Sequence, residues 1–296
     1  VIIHLPRHVR MVSLSATVSN AEEFGAWLDA VRGDTRVIVS EHRPVPLDAH
    51  VHIRGRLVDL FDSKAGEESH KPGRELVELA RGSDIADSAS HGHRDRGGHN
   101  RYRSRRPAKG GHRPGPGPGR GRGGFGGRVD RVDLIAMLDD RQMLPAIDFI
   151  FSRAGCDAAV RQVVEGGVRL TTPEDRAEIR AIVDERCRLL DDADLGVLGY
   201  FEWLDGLERG VAAHHAGLLP VFKEVVEELF RARLVKVVFA TETLALGINM
   251  PARTVVLEQL EKFNGEARVR ITPGEYTQLT GRAGRRQYVG SGRGKC

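Results

Sequence analysis

The stretch "QLTGRAGRR", Gln278 to Arg286, spaces two guanidinium groups, Arg282 and Arg285, three residues apart among small neighbours. On a helix that spacing puts both on one face. Gly281, Ala283 and Gly284 add no bulk, so another surface can approach closely. Arginine stays charged and offers a planar fork of donors, which suits a polyphosphate. A solvated basic helix end, favourable to the macrodipole, is the competing reading. A second stretch, "TETLALGINMPARTVVL" from 241 to 257, sets Thr241, Thr243, Gly247 and Asn249 between two apolar runs. It reads either as a plain polar connector or as a loop whose hydroxyls meet a phosphate backbone, with Gly247 allowing close approach.

Other chemistries find little support. Cys156, Cys187 and Cys296 are far apart and form no CxxC pair, which fits a reducing cytoplasm rather than a disulfide framework. His91, His93, His99 and His112 lie in a glycine-rich tract without a second ligand cluster, so no metal site is expected. "GRGGFG" matches GxGxxG only by composition, having no strand before it and no helix after it. The terminal "GSGRGKC" is no phosphate-binding loop, because Val289 replaces the first glycine and Cys296 the Ser or Thr. No run of about 20 apolar residues would cross a membrane.

Charge is unevenly spread. The chain carries a net +4, yet residues 81–128 alone hold twelve Arg or Lys against three Asp, so the remainder is acidic. That tract has fourteen glycines and almost no large apolar residues. Such a composition cannot bury enough surface to order itself, and disorder is expected. An Arg/Gly-rich arm can still hold nucleic acid by phosphate attraction, with Tyr102 and Phe125 available to stack on bases.

Around the tract the chain alternates apolar runs with turn signals. "VRMVSLSAT" and "RVIVSEHRPVPL" read as strands flanking a helix, for which Ser19 and Glu22 form a capping box and Phe24, Leu28 and Val31 one face. "HVHIRGRLVDLF" reads as a short hairpin. From about 129, helical and strand patterns alternate, which implies a parallel α/β sheet. Helices are expected over "RVDLIAMLDDRQM", "AGCDAAVRQVV" and a start at Thr172, Pro173 and Asp175. "VFKEVVEELFRAR" is amphipathic, with Phe222, Val226, Leu229 and Phe230 inward, and "TPGEYTQLTGRAGRR" starts a further helix. "LPAIDFIF", "GVAAHHAGLLP", "LVKVVFA" and "RTVVLEQL" read as strands. Ser152, His214, Thr241 and Arg282 would then fall near the C-terminal edge of the sheet, where open α/β sheets bind ligands.

These residues carry a resemblance. In order along the chain, "SLSAT", "AAHHAGLLP", "ATETLALGINMP" and "QLTGRAGRR" resemble motifs III, IVa, V and VI of superfamily two DExH-box helicases of the superkiller-type branch. The resemblance covers residues 1 to about 80 and 129–286. It implies an α/β fold: a RecA-like parallel sheet with helices on both faces, preceded by the C-terminal remnant of a first RecA-like domain. The implied layout is a remnant over 1–45, a connector over 46–80, the Gly/Arg tract over 81–128, and the second RecA-like domain over 129–296. It implies that Arg282, Arg285 and Gln278 face ATP, with Arg285 as arginine finger and Gln278 near the attacking water. Ser15, Thr17, Gly247 and Asn249 would couple the ATP and nucleic-acid sites. Ser152, His215, Gly217, Thr241 and Thr243 would contact the backbone of single-stranded RNA or DNA.

The sequence holds neither a Walker A loop nor a DExH box, so the implied cofactor, ATP with Mg²⁺, has its Mg²⁺ ligands elsewhere. The expectation is therefore a partial ATP-dependent helicase that supplies motifs III to VI and awaits an N-terminal half. It begins after the DExH box would occur and departs from the family pattern after Arg286, as a frameshift or premature end would. Alone it is expected to show little ATPase activity. The alternatives are a non-catalytic nucleic-acid-binding protein using the Arg/Gly tract, or a truncated product without a role.

Overall fold

A computed structural model describes residues 2–6, 8–14, 21–40, 47–53, 55–62, 71–81, 130–191, 196–245 and 250–284. Contacts divide the chain into two units, one made of 1–47 with 131–296 and the other of 48–130.

In the first unit, helix α1 spans Ala21–Arg32. Its only buried residue is Gly25, while Phe24 and Trp27 stack on each other at the surface with ring centroids 5.8 Å apart. The expected inward face of Phe24, Leu28 and Val31 is thus only partly realised, and Ser19 of the expected capping box lies outside the described residues. In the described parts of the expected strands to either side no strand is formed: 10–14 and 36–40 are exposed, with Val12 and Leu14 at 87% and 93% exposure, while 15–17 and 41–46 lie outside the described residues. An apolar run becomes a strand only when a neighbour completes its ladder, and no described strand lies beside these.

The second unit holds the expected hairpin. Strands β1 (His50–Ile53) and β2 (Arg56–Asp59) pair antiparallel, with Val51 opposite Val58. Val58 is buried, and Arg56 bonds Glu75 at 2.8 Å.

The core of the chain is built from residue 131 on. In order come α2 (Arg131–Asp140), β3 (Ala146–Phe149), α3 (Arg153–Glu165), α4 (Pro173–Cys187) and α5 (Tyr200–Glu208). Then follow β4 (Val211–His214), α6 (Pro220–Arg231), β5 (Val237–Ala240) and β6 (Thr254–Leu257). The short hairpin β7 (Glu261–Phe263) and β8 (Arg268–Arg270) leads into α7 (Pro273–Thr280). Strands β4, β5, β3 and β6, in that spatial order, make one wholly parallel sheet. β3, β4 and β5 are buried at every position, as strands covered on both faces must be.

Alternation along the strands assigns the faces. Ile147, Phe149, Ala212, Val238 and Ala240 join one core with residues of α4, α5 and α6. Val211, Ala213, Val237, Phe239 and Ile150 join a second with Cys156, Ala159 and Val163 of α3 and Ile135 of α2. α6 carries its expected stripe, Phe222, Val226, Leu229 and Phe230, together with Val225, all at most 2% exposed. Each such side chain stabilises by about 1.5–3 kcal/mol. α5 and the β7–β8 hairpin went unread in the sequence; α5 contains Gly206, whose absent side chain weakens the helical pattern.

One core position is polar. Asp148, in the middle of β3, is 3% exposed and has one carboxyl oxygen without a hydrogen-bond partner. Beside it, Arg131 holds Glu258 through two bonds of 2.6 and 2.8 Å and reaches Gln162 at 2.6 Å. Burial first, and then the Glu258 charge, push the Asp148 carboxyl well above the usual carboxylate range, against the pull of Arg131.

Candidate functional site

The C-terminal ends of β3, β4 and β5 gather five of the expected nucleic-acid contacts. Ser152, just past β3, caps α3: its hydroxyl oxygen accepts from the Gly155 amide at 3.2 Å. The hydroxyl can still donate one bond. His215, just past β4, is buried and tied to the first turn of α3, with Nε2 2.9 Å from Asp157 Oδ1. The Gly217 amide donates to His215 Nδ1 at 3.1 Å. Nδ1 therefore carries a lone pair, and Nε2 carries the hydrogen that Asp157 accepts, so both ring nitrogens are fixed. A Cβ on Gly217 would stand 3.1 Å from Nδ1 and 3.5 Å from Arg153 Cδ, so glycine keeps this turn close to the ring and to α3.

At the end of β5 the Thr241 amide reaches the His214 carbonyl at 3.3 Å. The Thr241 and Thr243 hydroxyls bond each other at 2.9 Å. Either can donate, so the pair retains one O–H for an outside acceptor. Together these ends present hydroxyl donors at Ser152, Thr241 and Thr243, with Arg153 exposed beside Gly217. Arg153 was not singled out in the sequence; a basic residue between Ser152 and the helix expected over "AGCDAAVRQVV" was the available signal.

Beneath Thr243 lies a cleft of about 360 Å³, lined by His214, His215, Lys223, Glu224 and Glu227 among others. Its side chains include two carboxylates and one ammonium. That balance does not favour an anion inside the cleft. His214 is 3% exposed, with Nε2 3.0 Å from Glu227 Oε1 and Nδ1 without a partner. Burial lowers its pKa and outweighs the opposing effect of Glu227, so the pair is a neutral imidazole donating to a carboxylate rather than an ion pair.

Arg282 does not join this edge. α7 begins at Thr272, whose hydroxyl caps the Glu275 amide while the Glu275 carboxylate caps the Thr272 amide. The helix ends at Thr280, and Ala283 pairs with Ala252, just ahead of β6. The Ala252 amide donates to the Arg282 carbonyl at 3.0 Å. Because β6 runs parallel to its neighbours, its start lies at the opposite edge from Ser152, His214 and Thr241. The shared helix face expected for Arg282 and Arg285 also fails. Arg282 stands beyond the helix, in a turn closed by Gly284 at φ 67°, a left-handed conformation that glycine adopts without cost. Arg282 is 6% exposed, whereas Gln278 is exposed on α7. Arg285, Gly247, Asn249, Ser15 and Thr17 lie outside the described residues.

The described residues do not by themselves fit ATP with Mg²⁺. Arg282 is buried, and among the described residues no group of three His, Cys, Asp or Glu side chains could hold a metal ion.

Residues 182–287 match the helicase conserved C-terminal domain family. The chain is 57% identical over 288 residues to a protein of Mycobacterium tuberculosis named probable helicase HelY, covering 97% of this chain and 30% of that protein. It is 38% identical over 298 residues to the DExH-box ATP-dependent RNA helicase DExH15 of Arabidopsis thaliana, covering 97% and 24%. It is 36% identical over 296 residues to superkiller complex protein 2 of Homo sapiens, covering 97% and 22%. The chain thus spans about a third or less of the length of these relatives. With its parallel α/β sheet and this similarity across nearly its whole length, the chain belongs to the superkiller-type branch of the DExH-box helicases.

Proposed function

We propose that residues 129–296 act as the second RecA-like domain of an ATP-dependent helicase and hold the backbone of a single strand. The observation that carries this reading is the meeting of hydroxyl donors and the His215–Gly217 turn at one edge of a parallel sheet. Ser152 and the Thr241–Thr243 pair each donate one hydrogen bond to a phosphate oxygen, and Arg153 supplies charge there. His215 and Gly217 shape the rim, because the ring that orders the turn is already committed to Asp157 and the Gly217 amide. Backbone contacts of this kind position a strand without reading its sequence.

Gln278, Arg282 and Arg285 would complete an ATP site only beside a phosphate-binding loop and Mg²⁺ ligands that this sequence does not contain. No step of hydrolysis is assigned to the chain alone. Ser15, Thr17, Gly247 and Asn249 belong to the same reading as coupling residues, and the chain acts in the cytoplasm.

Fluorescence anisotropy with labelled oligouridylate and oligothymidylate tests the strand contact and separates RNA from DNA. Thr241→Ala with Thr243→Ala removes the pair's one outward donor and lowers affinity by about five-fold, one lost hydrogen bond at roughly 0.5–1.5 kcal/mol. Unchanged affinity in the double variant rejects the reading.

A further inference from the structure

Lys262, in β7, lies between two carboxylates from different parts of the chain. Its Nζ stands 2.6 Å from Glu242 Oε2 and 2.6 Å from Glu275 Oε1. Glu242 opens the 3₁₀ turn Glu242–Ala245 that follows Thr241. Glu275 sits in the first turn of α7, and its other oxygen accepts from the Thr272 amide at 2.8 Å and the Thr272 hydroxyl at 3.0 Å. The lysine side chain is only 17% exposed, so the bridge is partly shielded from solvent. The two hydrogen-bonded carboxylates raise the Lys262 pKa, and Lys262 lowers that of Glu275, so the bridge is held in its ionic form.

Geometry makes this bridge a lever. α7 has eight residues and spans about 12 Å, close to the length of a four-residue strand. Its head is tied through Lys262 to the turn after β5, and its tail ends beside the start of β6. The turn and α7 also touch directly and share the core through Leu244 and Leu279, and Lys262 adds an ionic tie between their polar sides.

We propose that Lys262 is a positioning residue that ties the Thr241–Ala245 turn to α7, so that a strand bound at the turn orders the helix bearing Gln278. This rests on the strand contact proposed above.

Amide hydrogen exchange on the whole chain, with and without saturating oligouridylate of about 20 nucleotides, tests it. In the unaltered chain the oligonucleotide slows exchange both at 242–245 and at 275–280, by on the order of ten-fold. Glu242→Ala cuts the link on the turn side and leaves the Glu275 cap of Thr272 in place. In that variant slowing persists at 242–245 and is lost at 275–280, while exchange of unbound α7 is unchanged. Lys262→Arg, with both carboxylates in place, retains the response, because the guanidinium can bridge them. Equal slowing of α7 in Glu242→Ala overturns the proposal while leaving the strand contact standing. No slowing at 242–245 in the unaltered chain overturns both, and is told apart by that absence.

Discussion

Asp148 places a carboxyl where the pattern of its strand calls for an apolar residue, and its cost depends on pH. Its pKa is raised in the folded chain, so folding takes up a proton that the unfolded carboxyl releases. The stability this provides is fully present below the usual carboxylate range and is lost as pH rises through the raised value. Asp148→Asn keeps the shape and removes the titration. At pH 8 it should be more stable than the parent by about 1–3 kcal/mol, with the gap closing as pH falls toward 5. Urea denaturation at both pH values checks this, and a constant gap would show that Asp148 does not carry the pH dependence. Asp148 is not legible in the sequence because the groups that act on it, Glu258 and Arg131, are distant in the chain and meet it only through the fold. His215 was legible through its neighbours, whereas its Asp157 and Gly217 bonds were not.

Elements with a strong local signal formed as read. α6 has its apolar stripe, the α4 start at Thr172 has a capping box with Asp175, and β3 to β6 are the four apolar runs. Elements whose stability depends on partners did not: 9–14 and 36–40 have strand composition but no ladder. The end of α7 was overextended because "GRAGRR" keeps a helical spacing of arginines, while glycine chemistry turns the chain at Gly281 to Gly284. Its start is a reciprocal cap, and Thr272→Ala should lower stability by about 1 kcal/mol. Thermal unfolding monitored by circular dichroism reads the loss. An unchanged midpoint would mean that α7 is held by Leu279 in the core and by the Lys262 bridge, not by its cap.

At the scale of the molecule, the proposed strand binding has two candidate sources: the basic tract over 81–128, and the edge at Ser152, Thr241 and Thr243. The tract carries most of the positive charge excess, so its removal should flatten the salt dependence of binding. The edge contributes oriented hydrogen bonds to a surface whose cleft is net acidic, so its share should persist as salt rises. The parallel sheet that aligns these loops was legible from alternating helical and strand periods. The placement of Arg282 was not, because the return of α7 along the sheet depends on the Ala252–Ala283 pairing. The most direct test is a salt titration of oligouridylate binding to the chain with residues 82–128 deleted. The account predicts that binding survives with a shallower slope and that Thr241→Ala with Thr243→Ala then weakens it by about five-fold at every salt concentration. Complete loss of binding on deletion, at every salt concentration, would contradict it and assign the affinity to the arm.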